Sequence, residues 1–432
     1  GKQVVSWGES TFIGNSINSI NPVDVSAFRR PGAEIKEGLV PVNMLFASQG
    51  LTNQLTVEGF YQLEWDQTVV DNCGTFFGND VVADGCTTGY TVGSPAIAPL
   101  QPVAAAFGQG FQVTREGVIL PRGGDRDARD SGQWGAALRW LGDDTEYGLY
   151  FMNYHSRSPV VSTTTANVSA ATLGAIAGVA NGIVPGSGSG LVQSVMLGRG
   201  QYYLEYPEDI RLYGASFSTT LPTGTAWTGE ISYRPNAPVQ VNTNDLTLAL
   251  LNPISGGAAS PIKTAMGADN TGYRRKEITQ IQSSMTQFFD QVLGADRLTL
   301  VGEAAVVHVG GLEDKSKLRY GRDSVYGQYG YGGDTDGFVT ATSWGYRARA
   351  ILDYSNVIAG INFKPNLSWS HDVNGYGPNG LFNQGAKALS VGVDADYRNT
   401  YTASLSYTDF FGGRYNTLTD RDFLALSFGV NF

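Results

Sequence analysis

Apolar and polar side chains alternate with a period of two along most of this chain. At its C-terminal end Leu424, Leu426, Phe428, Val430 and Phe432 share one face, while Phe423, Ala425, Ser427, Gly429 and Asn431 share the other. Upstream, Tyr401, Ala403, Leu405 and Tyr407 oppose Thr402, Ser404, Ser406 and Thr408. Leu389, Val391, Val393, Ala395 and Tyr397 oppose Ser390, Gly392, Asp394, Asp396 and Arg398. A period of two is the signature of a strand with two different environments on its faces. The polar faces here are small, hydroxylic and glycine-containing, which suits a water-filled or plugged lumen better than the charged outside of a soluble sandwich.

The same pattern recurs earlier. Val57, Tyr61 and Leu63 oppose Glu58, Gln62, Glu64 and Asp66; Trp134, Leu138 and Trp140 oppose Arg139; Trp227, Ile231 and Tyr233 oppose Glu230, Ser232 and Arg234. Trp344, Tyr346 and Leu352 oppose Arg347, Arg349 and Asp353, and Phe363, Leu367 and Trp369 oppose Lys364 and Ser370. The phase of 278–289 is ambiguous. About fourteen strands result, an even number as single-chain bacterial barrels require. Their spans are 1–8, 41–50, 53–66, 132–142, 145–158, 209–221, 224–235, 274–289, 296–310, 340–355, 358–372, 387–399, 400–412 and 421–432. The fold class predicted is all-β: a transmembrane antiparallel up-and-down β-barrel forming one domain over 1–432.

Connections alternate as well. Short turns such as Asn356-Val357 and Asn399-Thr400 alternate with long segments at 9–40, 67–131, 159–208, 236–273, 311–339, 373–386 and 413–420. Barrels keep short turns in the periplasm and long loops outside. The segment 9–40 contains a helix-like start at Asn21-Pro22. It reads either as a constriction folded into the lumen or as a surface loop. The stretch 162–190 is rich in Ala, Gly, Ser and Thr, and reads as a mobile loop or a weak helix.

Composition supports the class. The chain has 56 Gly, 22 Tyr and 20 Phe, which suit turns and strands, and no apolar run of helical spanning length. The net charge of -10 disfavours a nucleic-acid partner. Cys73 and Cys86 sit in the glycine-rich segment 67–131, where a disulfide formed in an oxidising compartment is the favoured reading over free thiols. No signal peptide is present, and an exported barrel implies one that has been removed.

Candidate chemistry is sparse. By phase, Glu58, Arg139, Glu230, Arg234, Arg347, Arg349, Asp353, Lys364, Asp394, Asp396 and Arg398 face the lumen. A selective ion pore favours one sign, whereas mixed signs cross-link the wall or hold a plug. Arg347 and Arg349 meet either an anionic group or acids on neighbouring strands. Ser370-His371-Asp372-Val373-Asn374-Gly375 resembles the His-x-Ser-Asn-Gly motif of outer-membrane phospholipase A, but Val373 replaces the nucleophile. An enzyme is therefore not expected. The acidic loop 332–337 lacks the bidentate Glu of an EF-hand, and no metal or cofactor site is expected.

Several stretches carry a family resemblance. They are residues 1–10 (GKQVVSWGES), Asn21-Pro22-Val23-Asp24 with 28–34 (FRRPGAE), 205–210 (EYPEDI), 232–236 (SYRPN) and His371-Asp372-Val373. Together they resemble the proteobacterial outer-membrane family catalogued as domain of unknown function thirteen-oh-two. The resemblance implies further strands before Gly1, for a complete barrel of about eighteen, again even. It also implies an outer-membrane location in a Gram-negative bacterium, surrounded by lipid and lipopolysaccharide. Its implied partners are a periplasmic lipoprotein of lipid-carrier type and an inner-membrane exporter. The function expected is passage or hand-over of a hydrophobic or lipid-like substrate. The alternatives are a plugged structural or adhesive barrel and a passive porin for small solutes. The alternating Leu424, Leu426, Phe428, Val430 and Phe432 match the signal that the barrel-assembly machinery reads.

Overall fold

The computed structural model describes residues 1–29, 33–93, 100–102, 104, 110–327 and 335–431. Fourteen strands form one sheet in which every strand pairs with its sequence neighbours. They are β1 (Lys2–Gln3), β2 (Val42–Gly50), β3 (Leu55–Gln62), β4 (Trp134–Leu141), β5 (Thr145–Tyr154), β6 (Ile210–Thr220) and β7 (Ala226–Gln240). Then come β8 (Tyr273–Asp290), β9 (Arg297–Gly310), β10 (Thr342–Ile358), β11 (Ile361–Asn374), β12 (Lys387–Tyr397), β13 (Tyr401–Phe411) and β14 (Phe423–Val430). All these pairings are antiparallel. The order is that of an up-and-down meander. Among the described residues β1 and β14 do not pair. The sheet is nevertheless strongly curved: Phe77, in the connection after β3, packs edge-on against Phe423 of β14 at 5.6 Å. No helix among the described residues is long and apolar enough to cross a membrane.

Alternation places the apolar positions on the outer face. Ile281, Val391, Leu405, Leu424 and Phe428 are 54%, 53%, 43%, 70% and 78% exposed, whereas Gln282, Ser390 and Thr408 are buried on the inner face. The ambiguous strand is thereby phased: Ile278, Gln280, Gln282 and Ser284 of β8 face inward. This inverts the distribution of a soluble protein, where a contiguous exposed apolar belt would be a liability. Leu424, Leu426, Phe428 and Val430 all point outward, and Phe432 lies outside the described residues.

Two expectations need correction, and the open reading of 162–190 is decided in favour of helix. The first predicted strand, 1–8, is cut to Lys2–Gln3. Val5 and Trp7 alternate as in a strand, but both are buried against the inner face. The turn expected at Asn356-Val357 falls instead at Ala359-Gly360, between paired Ile358 and Ile361. Both turn residues have positive φ, 52° and 86°, as a two-residue type I′ hairpin requires. The stretch 162–190 is packed structure. The strand Val160–Thr164 pairs on both sides, with Gln201–Glu205 and with Asp269–Asn270. Two helices, α1 (Ala170–Ile183) and α2 (Gly188–Arg199), follow it. The Ser169 hydroxyl caps α1 by accepting from Thr172 N at 3.1 Å.

These long connections share a core. Tyr90, Leu120, Leu173, Met196, Tyr202 and Leu250 are buried together, so the connections 67–131, 159–208 and 236–273 form one cap at that end of the sheet. The helix α3 (Thr243–Ala249) carries Asp245, which receives the Arg319 Nε–H at 3.0 Å and its Nη2–H on the other oxygen, with both side chains fully buried. Cys73 and Cys86 form a disulfide with Cα atoms 5.7 Å apart. Their bridge closes a loop of sequence separation 13, for which chain entropy gives about 3 kcal/mol of local stabilisation. Cys73→Ser should therefore speed chymotryptic cleavage at Phe76 and Phe77 several-fold while leaving thermal unfolding of the sheet unchanged. Equal cleavage rates would show that the loop is held by other contacts.

Candidate functional site: an internal segment and two adjoining cavities

After β1 the chain turns inside the sheet. Gly8, at φ 83°, permits the bend, and Glu230 lies where a Cβ would stand. Trp7 is 1% exposed, packs against Phe60 and Tyr150 at 5.2 and 5.7 Å, and donates its indole N–H to Glu58 at 2.7 Å. The next residues run along the inner face by their own backbone. Glu9 N and the Ser10 hydroxyl donate to Glu230. The N–H groups of Thr11, Phe12 and Ile13 all donate to Glu303, at 3.0, 2.6 and 2.7 Å. Gln280 donates to Gly14 O at 3.0 Å, and Ser16 donates to Ser232 at 3.0 Å. Ile17 fills the space above Gly214, where a Cβ would come within 2.7 Å of it. An irregular segment can be buried only if its backbone groups find partners, and the polar inner wall supplies them.

The segment returns to β2 through a compact loop. Asn21 accepts from Val5 N and donates to Gln3 O and Val40 O, which uses up the side chain expected to start a helix at Pro22. Among the described residues of 9–40 two short 3-10 turns form, Val25–Phe28 and Ile35–Gly38, the first capped by Asp24 through Ser26 N at 2.9 Å. The described residues of 9–40 thus lie within the curve of the sheet, and none of them is α-helical.

The wall charges fall into groups. Arg139 bridges Glu58 and Glu146, at 3.5 and 2.9 Å. Arg347 pairs with Asp372 at 2.7 Å, and Lys364 with Asp353 at 3.5 Å. Asp394 accepts from Ser404 and Asn366, and Asp396 from Asn399 N. Arg234 is 3% exposed and donates from Nη1 to Asn15 at 3.0 Å, while its Nε and Nη2 have no acceptor among the described residues. Arg349 is half-buried on the same strand as Arg347. Arg398 is a correction: β12 ends at Tyr397, and Arg398 sits exposed in the turn at φ 57°, over the Tyr397 ring.

Two cavities remain beside the segment. The first, about 830 Å³, lies toward the short turns and is lined by Asn362, Lys364, Asp394, Asp396, Ser404 and Ser427 on one side and by Ser26, Ala27, Arg29 and Glu37 on the other. The second, about 710 Å³, lies toward the long connections and mixes apolar with basic groups. Arg29 lines both, so the 3-10 turn region stands between them. Arg157 lines the second cavity and donates to Asp66 O and Ile20 O at 2.9 and 3.2 Å and to Gln62. Burial pushes its guanidinium down to about 10, which leaves it charged at neutral pH.

Several of these groups escaped the sequence. Glu303 stands alone between Gly302 and Ala304 in a strand apolar on both faces, so phase alone did not mark it. A lone acid in an apolar strand was the available signal. Gln280 and Gln282 lay in the strand without a clear phase. His155 is buried, accepting from Asp209 N and facing Ser131 O. His371 stacks edge-on with Tyr346 on the face opposite Asp372, away from the segment, with Val373 next to it. Of the acidic loop 332–337, residues 332–334 lie outside the described residues.

A curved antiparallel sheet that is apolar outside, mixed polar and apolar inside, and filled by the segment that follows β1 defines a β-protein whose outer face is its apolar one. The family model described as "Protein of unknown function (DUF1302)" matches residues 1–432, and the chain belongs to that family. No curated protein matches it. Solved structures similar to it include an enterobactin-bound mutant of the ferric enterobactin receptor of Pseudomonas aeruginosa, at 12% identity and TM-score 0.32, covering 84% of this chain and 40% of the receptor. A FadL homologue of Pseudomonas aeruginosa matches at 11% identity and TM-score 0.34, covering 95% and 91%. The siderophore receptor PirA of Acinetobacter baumannii matches at 10% identity and TM-score 0.32, covering 94% and 60%. The chain thus spans less than half of the enterobactin receptor, and at these scores the likenesses bear on neither substrate nor mechanism.

Proposed function

We propose that this chain forms the wall and internal plug of an outer-membrane β-barrel that passes or hands over a substrate with an apolar body. The observation that carries the reading is the pairing of an exposed apolar outer face with two cavities left between the plug and the wall. Only lipid makes such an outer face favourable. The second cavity adds apolar groups, among them Phe12, Phe28, Ile35 and Phe410, to its basic ones. The first cavity is lined mainly by polar and charged groups, so a bare hydrocarbon gains little there, and a polar end on the substrate suits it better. The lipoprotein and exporter implied by the family resemblance are the partners this reading takes. It assigns no catalysis.

The membrane part has a direct test. Ile281 is 54% exposed on the outer face. In lipid, Ile281→Arg should cost about 2–4 kcal/mol near the midplane, read as a lowered urea midpoint in liposomes. A soluble sheet would tolerate arginine at such a position with little change.

A second reading, a plugged barrel acting through its capped connections, is favoured by the bonds that hold the segment to Glu303 and Glu230. Planar bilayers and cell attachment separate the readings. Transport predicts a small, substrate-sensitive conductance. A silent protein whose cap deletion abolishes attachment supports the plugged barrel. A large steady conductance insensitive to amphiphiles supports a passive porin.

A further inference from the structure

We infer that the second cavity binds the acid head of an amphiphile, a carboxylate on an apolar body, and that Arg234 is the residue that grips it. This rests on the transport reading above and adds the substrate's charge to it.

The chain carries a net charge of -10, yet this cavity is lined by Arg29, Arg157, Arg234, Arg347 and Lys387 against Asp372 as its acidic residue. Arg29 is neutralised by Asp71 and Arg347 by Asp372. Arg157 and Arg234 are different: both are buried, and neither has a carboxylate within ion-pair distance among the described residues. Carbonyl and amide oxygens hold Arg157 by its two terminal nitrogens. Arg234 has a single acceptor, Asn15, on Nη1.

The two unsatisfied nitrogens of Arg234 are Nε and Nη2. Their N–H bonds lie along one edge of the guanidinium, the fork that takes both oxygens of a carboxylate. The protein itself shows what that edge accepts: Arg319 uses Nε and Nη2 to hold the carboxylate of Asp245. Arg234 carries the same edge, buried at the cavity wall, with no acid among the described residues to fill it. A buried cation in this state asks for a counter-charge. An incoming carboxylate supplies it, and Arg157 adds a second positive charge to the same space.

The rest of the cavity suits the remainder of such a molecule. Phe12, Ile35, Ile210, Ile278, Leu381 and Phe410 line it, and about 710 Å³ lies within the range of small-molecule sites. Asn15, which holds Arg234, belongs to the plug. Ligand and plug therefore meet at one side chain.

The test uses purified protein in nanodiscs with fluorescent dansyl-aminoundecanoate and its uncharged methyl ester. The carboxylate should bind more tightly than the ester. Arg234→Gln should weaken the carboxylate at least about tenfold, ~1.4 kcal/mol, and leave the ester unchanged. Arg234→Lys should keep part of the preference, since it retains charge but loses the fork. Asn15→Asp, which places an acid on Arg234 from within, should also weaken the carboxylate, and it remains informative if Arg234→Gln does not fold. Heat-modifiable gel mobility reports folding of each variant. If ester and carboxylate bind alike and no variant separates them, the acid-head inference falls while the transport reading stands. If neither probe binds, both fall.

Discussion

Glu303→Ala is expected to raise single-channel conductance in planar bilayers at least about tenfold. The reason is local and additive. One carboxylate takes three consecutive backbone N–H groups, from Thr11, Phe12 and Ile13, and Ile13 is itself buried. Hydrogen bonds to a charged group contribute roughly 1.5–3 kcal/mol each. Water entering the lumen will recover part of this when the carboxylate is removed. A net loss of only about 1.4 kcal/mol still shifts the released fraction tenfold. Released plug should also become sensitive to protease between residues 5 and 20, a readout independent of current. Glu303→Gln, which keeps two acceptor lone pairs and loses the charge, should fall between. Unchanged conductance together with unchanged protection in Glu303→Ala would mean that Trp7, Ile17 and Glu230 hold the segment without it.

Arg319→Ala should be the most damaging single change in the cap, at about 3–5 kcal/mol. The pair it breaks is fully buried, and Asp245 would be left as an uncompensated charge on α3. The expected signature is local: proteolytic nicking in 236–273 at temperatures where the sheet remains folded. The double variant Asp245→Ala with Arg319→Met should be much milder than the single one, because it removes both charges and keeps an apolar stem over Phe338, which Arg319 now covers at 4.8 Å. If the double variant is as unstable as the single, the damage comes from lost packing and the ion pair matters little.

The alternation of side chains made most of the sheet legible. Thirteen of the fourteen strands overlap their predicted spans, most of them because they separate apolar from polar surroundings along their length; β8, without a clear phase, and β9, apolar on both faces, do not show this contrast at every residue. β1 fails for an instructive reason. Val5 and Trp7 lie on one face with Ser6 between them on the other, but alternation reports contrast between faces and says nothing of which surface is met. Here the apolar side meets Phe60 and Tyr150 across the interior. The cap was invisible for another reason. Its core joins Tyr90, Leu173 and Leu250 from three separate connections, and no local window contains the pattern. The charges were legible as inward-facing, but not which acid meets which base, since pairing depends on register. Arg347 and Asp372 show this: they meet because β10 and β11 are aligned with Arg347 beside Ser370 and Gly345 beside Asp372. The unpaired edge of Arg234 could not be read at all, because it is defined by what the folded wall leaves over.

The plug is bonded to the wall across very long stretches of chain. Glu9 meets Glu230 over 221 residues, and Thr11 meets Glu303 over 292. Contacts of that separation are made late and slowly, since the chain between must be ordered first. Residues 5–20 are therefore made before β7 and β9 yet docked only once those strands are in place. Until β7 and β9 are in place, its apolar Trp7, Ile13 and Ile17 have no home. For this segment the order of synthesis and the order of assembly run in opposite directions, and a chaperone that shields residues 5–20 during transit would bridge that delay.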